Sequence, residues 1–572
     1  MKGETPGDSP ITAGGAIFTK LKALGVSHVF SNAGTDFPPI IEGLVEAQRR
    51  GLDLPLPVTV PHEHAAVSMA HGFYQVSGRA QAVMLHTNVG LSNGATAIIN
   101  AWCDHIPMIV MSGRTPTTER GRFGARTVPI GWGQEMFDQE ALIREATKWQ
   151  YEIRFPEQVP ELLDRAWAIA NSGPKGPVYL SLPREVLCEP CPAEGISAPP
   201  RMTPVTTAPD GDAVARAARA LAQADNPVII AQRGAGGADG FAALTRFVED
   251  HAIPLVHYWP NQIAIPMAHP MQVGADPSPW LAEADVVLAL DCLAPWMPDG
   301  VKLRDDATII QAAPDPLFGR TPVRNFPADI TLAGPVGATL AALIPAVGAE
   351  PRDETRIATR RKRVAAASET SRAAVMARAE AGASAPMTKD WVSLCLGRAL
   401  KGRRATVFHE LGCPLQPLDL DQPDSYFQEP FSGGLGWGMP AAIGAKMADP
   451  DRLVVATVGD GSYMFANPTA CHFVAEAQNV PLIVLVLNNE EWAAVRYSVQ
   501  GLYPEGESKT ANEVPLTSLR PSPDFAKVAE ASRAYTETVT DGRDLPAALD
   551  RAIRVAEEEQ RQVLLNIAIA RG

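Results

Sequence analysis

The 572-residue chain lacks any run of the ~20 apolar residues that a membrane-spanning helix needs, and its start, Met1 to Ile11, has no basic, then apolar, leader pattern. No membrane partner and a cytoplasmic location are therefore expected. Cysteine is scarce and odd in number, at 7, which argues against a disulfide framework. Cys188 and Cys191 form one CxxC, but no second pair stands at a spacing that would complete a zinc site. Basic charge is in deficit, the formal net charge being -14, so neither nucleic acid nor an anionic membrane is expected as the main partner. No short-period repeat is present, which excludes a solenoid.

What is there is an alternation of short apolar runs with helical patterns, the mark of an α/β protein. Gln81–Leu85, Pro107–Met111, Pro227–Ile230, Val286–Leu290, Leu453–Val458 and Pro481–Leu487 are each apolar on both faces and followed by a polar or glycine-bearing turn. Such strands suit parallel sheets covered by helices. A proline-dense stretch at 189–204 and an Arg/Ala/Glu-rich stretch at 353–386, expected to be a solvated helix and a flexible joint, divide the chain into 1–188, 205–350 and 387–572. The first and third segments could share one architecture.

The strongest motif is Gly459-Asp460-Gly461-Ser462 at the end of one strand, with Asn488-Asn489 ending the next some 26 residues later. Open α/β sheets bind ligands at these carboxyl ends. Mg²⁺ wants oxygen ligands, often shared with phosphates. Asp460 can offer a carboxylate, Asn489 an amide oxygen, and the backbone near Glu491 a carbonyl. Gly459 and Gly461 let the chain come close to a phosphate. Asn467 and Pro468 read as the cap and first residue of the following helix.

In the first segment, Pro61-His62-Glu63-His64-Ala65-Ala66 opens a helix expected over Ala65–Val76. A zinc-protease reading fails, because HExxH would need histidine where Ala66 stands. Leu85-His86-Thr87 ends a strand, and His86 could move protons near neutral pH. Asn32-Ala33-Gly34-Thr35 reads as a turn after a strand at His28–Phe30. In the third segment, Ser432-Gly433-Gly434-Leu435-Gly436-Trp437-Gly438 reads as a tight turn before a closely packed helix.

Together these motifs resemble the thiamine-diphosphate enzymes of the pyruvate oxidase, acetolactate synthase and benzoylformate decarboxylase family, with the turn at 433–440 nearest the last. The resemblance runs from Gly14 to the C-terminus. It implies three doubly wound parallel-sheet α/β domains in the order pyrimidine-binding, middle and diphosphate-binding, with thiamine diphosphate and Mg²⁺ as cofactors. It also implies a homodimer or homotetramer, since in this family the cofactor lies between domains of neighbouring subunits.

By resemblance, Glu63 bonds the pyrimidine nitrogen and His86 relays protons. Gly433 offers its carbonyl to the ring amino group, Gly434 belongs to the same turn, and Leu435 wedges the cofactor bent. Gly459, Gly461, Ser462 and Asn489 hold the diphosphate, and Asp460, Asn489 and Glu491 the metal. Thr35, Glu490 and Trp296 are candidate pocket residues for a small carbonyl substrate. The middle segment is read without a nucleotide, in preference to FAD, ADP or CoA, because its Gly-rich turn after Gln232-Arg233 lacks the GxGxxG order. The activity implied is decarboxylation of a 2-oxo acid. Acetolactate-type carboligation, 2-hydroxyacyl-CoA cleavage and a silent cofactor-binding paralogue are the alternatives.

Overall fold

The computed structural model describes residues 10–511 and 514–571. The apolar runs become strands within three residues of their expected ends, for example Gln81–Leu85, Met108–Arg114, Leu453–Gly459 and Ile483–Asn488. Each is buried along nearly its whole length, so each needs helices on both sides of its sheet.

Among the described residues the strands form three parallel sheets and a small antiparallel pair. The first sheet runs Leu56–Thr59, His28–Ser31, Gln81–Leu85, Met108–Arg114, Pro177–Pro183, Gln150–Glu152. The third runs Tyr426–Gln428, Ala405–Glu410, Leu453–Gly459, Ile483–Asn488, Val563–Ala568, Tyr535–Val539. Counted in chain order both are 2-1-3-4-6-5, so the two outer domains repeat one architecture. The middle sheet is 2-1-3-4-5, from Leu255–Val256 to Ile330–Ala333.

The outer domains are locked together by two helices, Glu63–Ser77 and Gly438–Ala448, whose buried faces belong to one shared core. Small residues make the crossing possible. A Cβ on Gly72 would lie 1.9 Å from the Ala441 carbonyl oxygen, and one on Gly444 would lie 1.9 Å from that of Met69. The motif glycine-alanine pattern of the second helix is thus a packing requirement. An added methyl at either position would force the helices apart at a cost of about 1–3 kcal/mol.

The linkers differ from expectation in an instructive way. Pro190–Cys191 pairs antiparallel with Ile11–Thr12, and buried Lys20 donates to the Gly195 and Ala198 carbonyls. The proline-dense stretch is therefore tied to the first domain rather than free. The charged stretch does form a helix, Glu354–Ala381, but it is not wholly solvated. Arg360 is buried and donates to the carbonyls of His251, Ala252, Ala224 and Asp225. A guanidinium here satisfies backbone acceptors of the middle domain.

Candidate active site

Glu63 is the first residue of its helix, buried at 7% exposure. Its two carboxylate oxygens accept hydrogen bonds from Asn32 Nδ2 at 2.9 Å and Asn93 Nδ2 at 2.6 Å. The helix N-terminus adds a favourable field. One turn of the next helix brings His86 close: its Cβ lies 3.4 Å, and Glu63 Oε1 2.9 Å, from where a Cβ on Gly90 would stand. His86 Nδ1 is hydrogen-bonded to the Asp36 carboxylate, and Gln134 Nε2 lies 3.2 Å from His86 Nε2. The bond to Asp36 holds the imidazole above its ordinary pKa, against the opposing effect of burial. Asp36 itself is buried and also accepts from the Thr87 N–H. Gly34 makes this approach possible, since a Cβ there would fall 2.0 Å from His86 Nδ1. Thr35 lies beside them, lining a small cavity with Asp36, Thr87, Arg126 and Gln134.

The third domain builds a different place. Asp460 starts a short helix directly after the strand Leu453–Gly459. One carboxylate oxygen accepts from the Gly461 N–H at 2.9 Å and the other from the Glu490 N–H at 2.8 Å. Burial pushes its pKa up to about 6, those N–H bonds opposing. A cavity of about 130 Å³ is lined by Gly459, Asp460, Gly461, Ser462, Asn489, Glu491, Trp492 and Lys389. Trp492 packs over Gly461 so closely that a Cβ there would lie 2.1 Å from the indole.

The donor set suits a diphosphate with its cation. Ser462 lines this cavity with its hydroxyl buried beside the Glu410 carboxylate, and Gly459 carries no side chain into the space. Among the described residues no cluster of three or more His, Cys, Asp or Glu could hold a metal. A cation at Asp460 would draw on the Asn489 amide, backbone carbonyls and phosphate oxygens, the ligand habit of Mg²⁺.

The turn at 432–438 is held from below. Gly433 has φ 67° and Gly436 φ 87°, a region costly for side-chain-bearing residues. Glu410, fully buried, accepts from the Gly436 N–H at 2.6 Å and from the Gly438 N–H, and burial pushes its pKa up to about 7. The Gly434 carbonyl accepts from Asn100 Nδ2 at 2.8 Å. Leu435 is half-buried at the crest of this turn.

Some expected residues lie elsewhere. Trp296 is buried at 3% exposure in the middle-domain core, edge-on to Phe326, and so is a packing residue rather than a pocket wall. The Glu490 carboxylate turns outward to Arg520 at 2.8 Å and Arg571 at 3.0 Å, and only its N–H serves the site. Glu491 does line the cavity, with its carboxylate paired to Arg496. Asn467 stands before the helix Pro468–Ala477, but with φ 51° and no side-chain capping bond.

The sequence reading missed Asp36, Asn93, Glu410, Trp492 and Lys389. Three of them, Glu410 at a strand's carboxyl end and Asp36 and Trp492 within five residues after one, carry the signal that would have found them.

The chain matches three family descriptions in order: "Thiamine pyrophosphate enzyme, N-terminal TPP binding domain" over residues 11–142, the central domain over 214–343 and the C-terminal TPP binding domain over 412–567. It is 30% identical to a probable 2-ketoarginine decarboxylase of Pseudomonas aeruginosa, over 97% of this chain and 94% of that one. It is 28% identical to benzoylformate decarboxylase of the same organism, over 85% and 87%. Among solved structures, a thiamine diphosphate-dependent 4-hydroxybenzoylformate decarboxylase of Rhodococcus jostii RHA1 shares the fold with a TM-score of 0.79 and 24% identity, over 98% and 99% of the two chains.

Proposed function

Because the chain belongs to the thiamine pyrophosphate enzyme family, we propose that it uses thiamine diphosphate and Mg²⁺ to decarboxylate a 2-oxo acid non-oxidatively, releasing an aldehyde. The observation that carries this reading is the His86–Asp36 pair beside Glu63. Once CO₂ has left, a decarboxylase must deliver a proton to the former carbonyl carbon. A histidine whose pKa is raised by a hydrogen-bonded carboxylate is suited to that task.

When bound, the cofactor supplies an electron sink next to the substrate carbonyl. Glu63, fixed by two asparagine amides, bonds the pyrimidine nitrogen and sets its protonation. The Gly433 carbonyl takes the ring amino group and Leu435 is the wedge. Asp460, Asn489 and the Glu491 backbone carbonyl hold Mg²⁺, while the Gly459–Ser462 turn holds the diphosphate. Thr35 faces the substrate.

The working unit is a homodimer or homotetramer. The hydrogen bonds of Glu63 stay within the first domain, and the Asp460 cavity is lined by third-domain residues. Asn100, which holds the Gly434 carbonyl, stands seven residues beyond Asn93, about 10 Å along one helix. In this reading Glu63 serves the turn of a neighbouring subunit. Among the described residues no helix is long and apolar enough to cross a membrane.

The test is a panel of 2-oxo acids, including benzoylformate, a guanidinium-bearing acid and pyruvate, with thiamine diphosphate and Mg²⁺. CO₂ and free aldehyde in equal amounts support the reading. Carboligated products without aldehyde, or turnover confined to 2-hydroxyacyl-CoA substrates, would overturn it in favour of those activities.

A further inference from the structure

Lys389 is the first residue of the helix Lys389–Leu400, whose start is capped by the Thr388 hydroxyl accepting from the Trp391 N–H. Its Nζ donates to the Leu411 carbonyl at 2.7 Å, and Leu411 directly follows the strand Ala405–Glu410. The side chain therefore reaches the carboxyl edge of the third sheet, where Asp460 and Asn489 also stand. It lines the cavity of about 130 Å³ with Gly459, Asp460, Gly461, Ser462 and Asn489. Lys389 also lines the neighbouring cavity of about 380 Å³, alongside His409 and Glu429.

The charge balance around it is incomplete. An ammonium has three N–H donors, and Leu411 takes one. Among the described residues no carboxylate comes within ion-pair distance. Asp460 and Glu429 act on it only through space, and burial draws its pKa down. A half-buried cation without a counter-ion is costly unless an anion completes it. Lysine is a point charge suited to phosphate. Lys389 and the buried Ser462 hydroxyl line the same cavity.

We propose that Lys389 is a cofactor-binding residue, its ammonium pairing with the diphosphate of thiamine diphosphate. The proposal rests on the cofactor reading above. It makes the diphosphate the neutralising partner of two cations, the metal at Asp460 and the ammonium at Lys389. Preference for the diphosphate over the monophosphate is then partly a property of this side chain.

Calorimetric titration of the full-length protein in Mg²⁺ with thiamine diphosphate, thiamine monophosphate and thiamine tests it. Lys389→Met is expected to weaken thiamine diphosphate at least tenfold, leave thiamine unchanged and so narrow the preference for the diphosphate. Lys389→Arg is expected to keep most of the affinity. Melting curves without cofactor establish that each variant is folded, and Lys389→Gln replaces the methionine variant if that one is not. Wild-type affinity for thiamine diphosphate in Lys389→Met overturns the proposal. So does an equal loss for all three ligands, which would assign Lys389 to holding Leu411. Absence of thiamine diphosphate binding by the wild-type protein would overturn the cofactor reading as well, and so is distinct from either result.

Discussion

The first and third domains share a strand order and differ in nearly everything placed at their strand ends. In the first, the functional acids are satisfied: Glu63 by Asn32 and Asn93, Asp36 by His86 and the Thr87 N–H. In the third, Asp460 and Glu410 also accept two backbone N–H bonds each, yet burial raises them, Asp460 to about 6 and Glu410 to about 7, and among the described residues Lys389 has no carboxylate within ion-pair distance. A site that moves protons needs groups fixed in one protonation state by neighbours already present. A site that waits for a charged ligand keeps groups whose partners arrive with it. One architecture thus hosts both tasks, and the division lies in the loops rather than the sheets.

The sharpest way to break this contrast is Glu63→Gln. It keeps the asparagine contacts sterically but removes the carboxylate. kcat is expected to fall by roughly 10²–10⁴-fold, the range of acid–base catalysis, with thiamine diphosphate affinity by calorimetry little changed. Retention of full turnover would refute the division of labour between the two domains. Asp460→Ala is expected to act in the opposite manner. Its mark is a raised Mg²⁺ requirement, on the order of 10–100-fold by analogy with disturbed metal sites, read by titrating activity and cofactor binding against Mg²⁺.

Asp36→Asn probes the first domain more finely. The hydrogen bond to Asp36 is the main reason the His86 pKa is raised. Its loss lowers the pKa, so less imidazolium remains as pH rises and the alkaline limb of kcat moves to lower pH. A shift of one unit is about a tenfold loss of the protonated form above neutrality. The pH–rate profile checks this, and an unmoved limb would remove His86 as the proton donor.

Much of this was legible in the residues. Both-face apolar strands announced the parallel sheets, and GDGS, the asparagine pair and the HE turn marked carboxyl edges of their strands. What was not legible depended on distance in space. Nothing local in Asp36 says that it meets His86, fifty positions on. Glu410 looks like the end of a strand until the Gly436 and Gly438 N–H groups are found above it. Glu490 and Trp296 failed for the opposite reason. A residue near a motif was taken to face the site, but Arg520 and Arg571 draw Glu490 outward, and Phe326 and the middle-domain core enclose Trp296.

The third domain's buried acids make a prediction about stability. Burial raises the Glu429 carboxyl to about 8, with the Glu410 charge contributing. A carboxyl raised in the folded state contributes stability that is complete below its unfolded value, near 4.5, and is lost as pH rises through about 8. Glu429→Gln removes that loss. Its melting temperature, measured without cofactor, should match wild type near pH 5 and exceed it near pH 9. A constant offset at both pH values would mean that the carboxyl is not carried neutral in the fold.

The smallest expected effect belongs to Trp296. If it is core, as its burial and its contact with Phe326 imply, then Trp296→Phe leaves an apolar ring in an apolar place with a small void. The cost should be about 1–2 kcal/mol of stability, seen as a lowered melting temperature. kcat/KM should change by the same factor, or not at all, for every 2-oxo acid tested. A change of preference between a bulky and a small 2-oxo acid would place Trp296 against substrate after all. It would then be the middle domain, and not only the two outer ones, that decides which carbonyl compound is accepted.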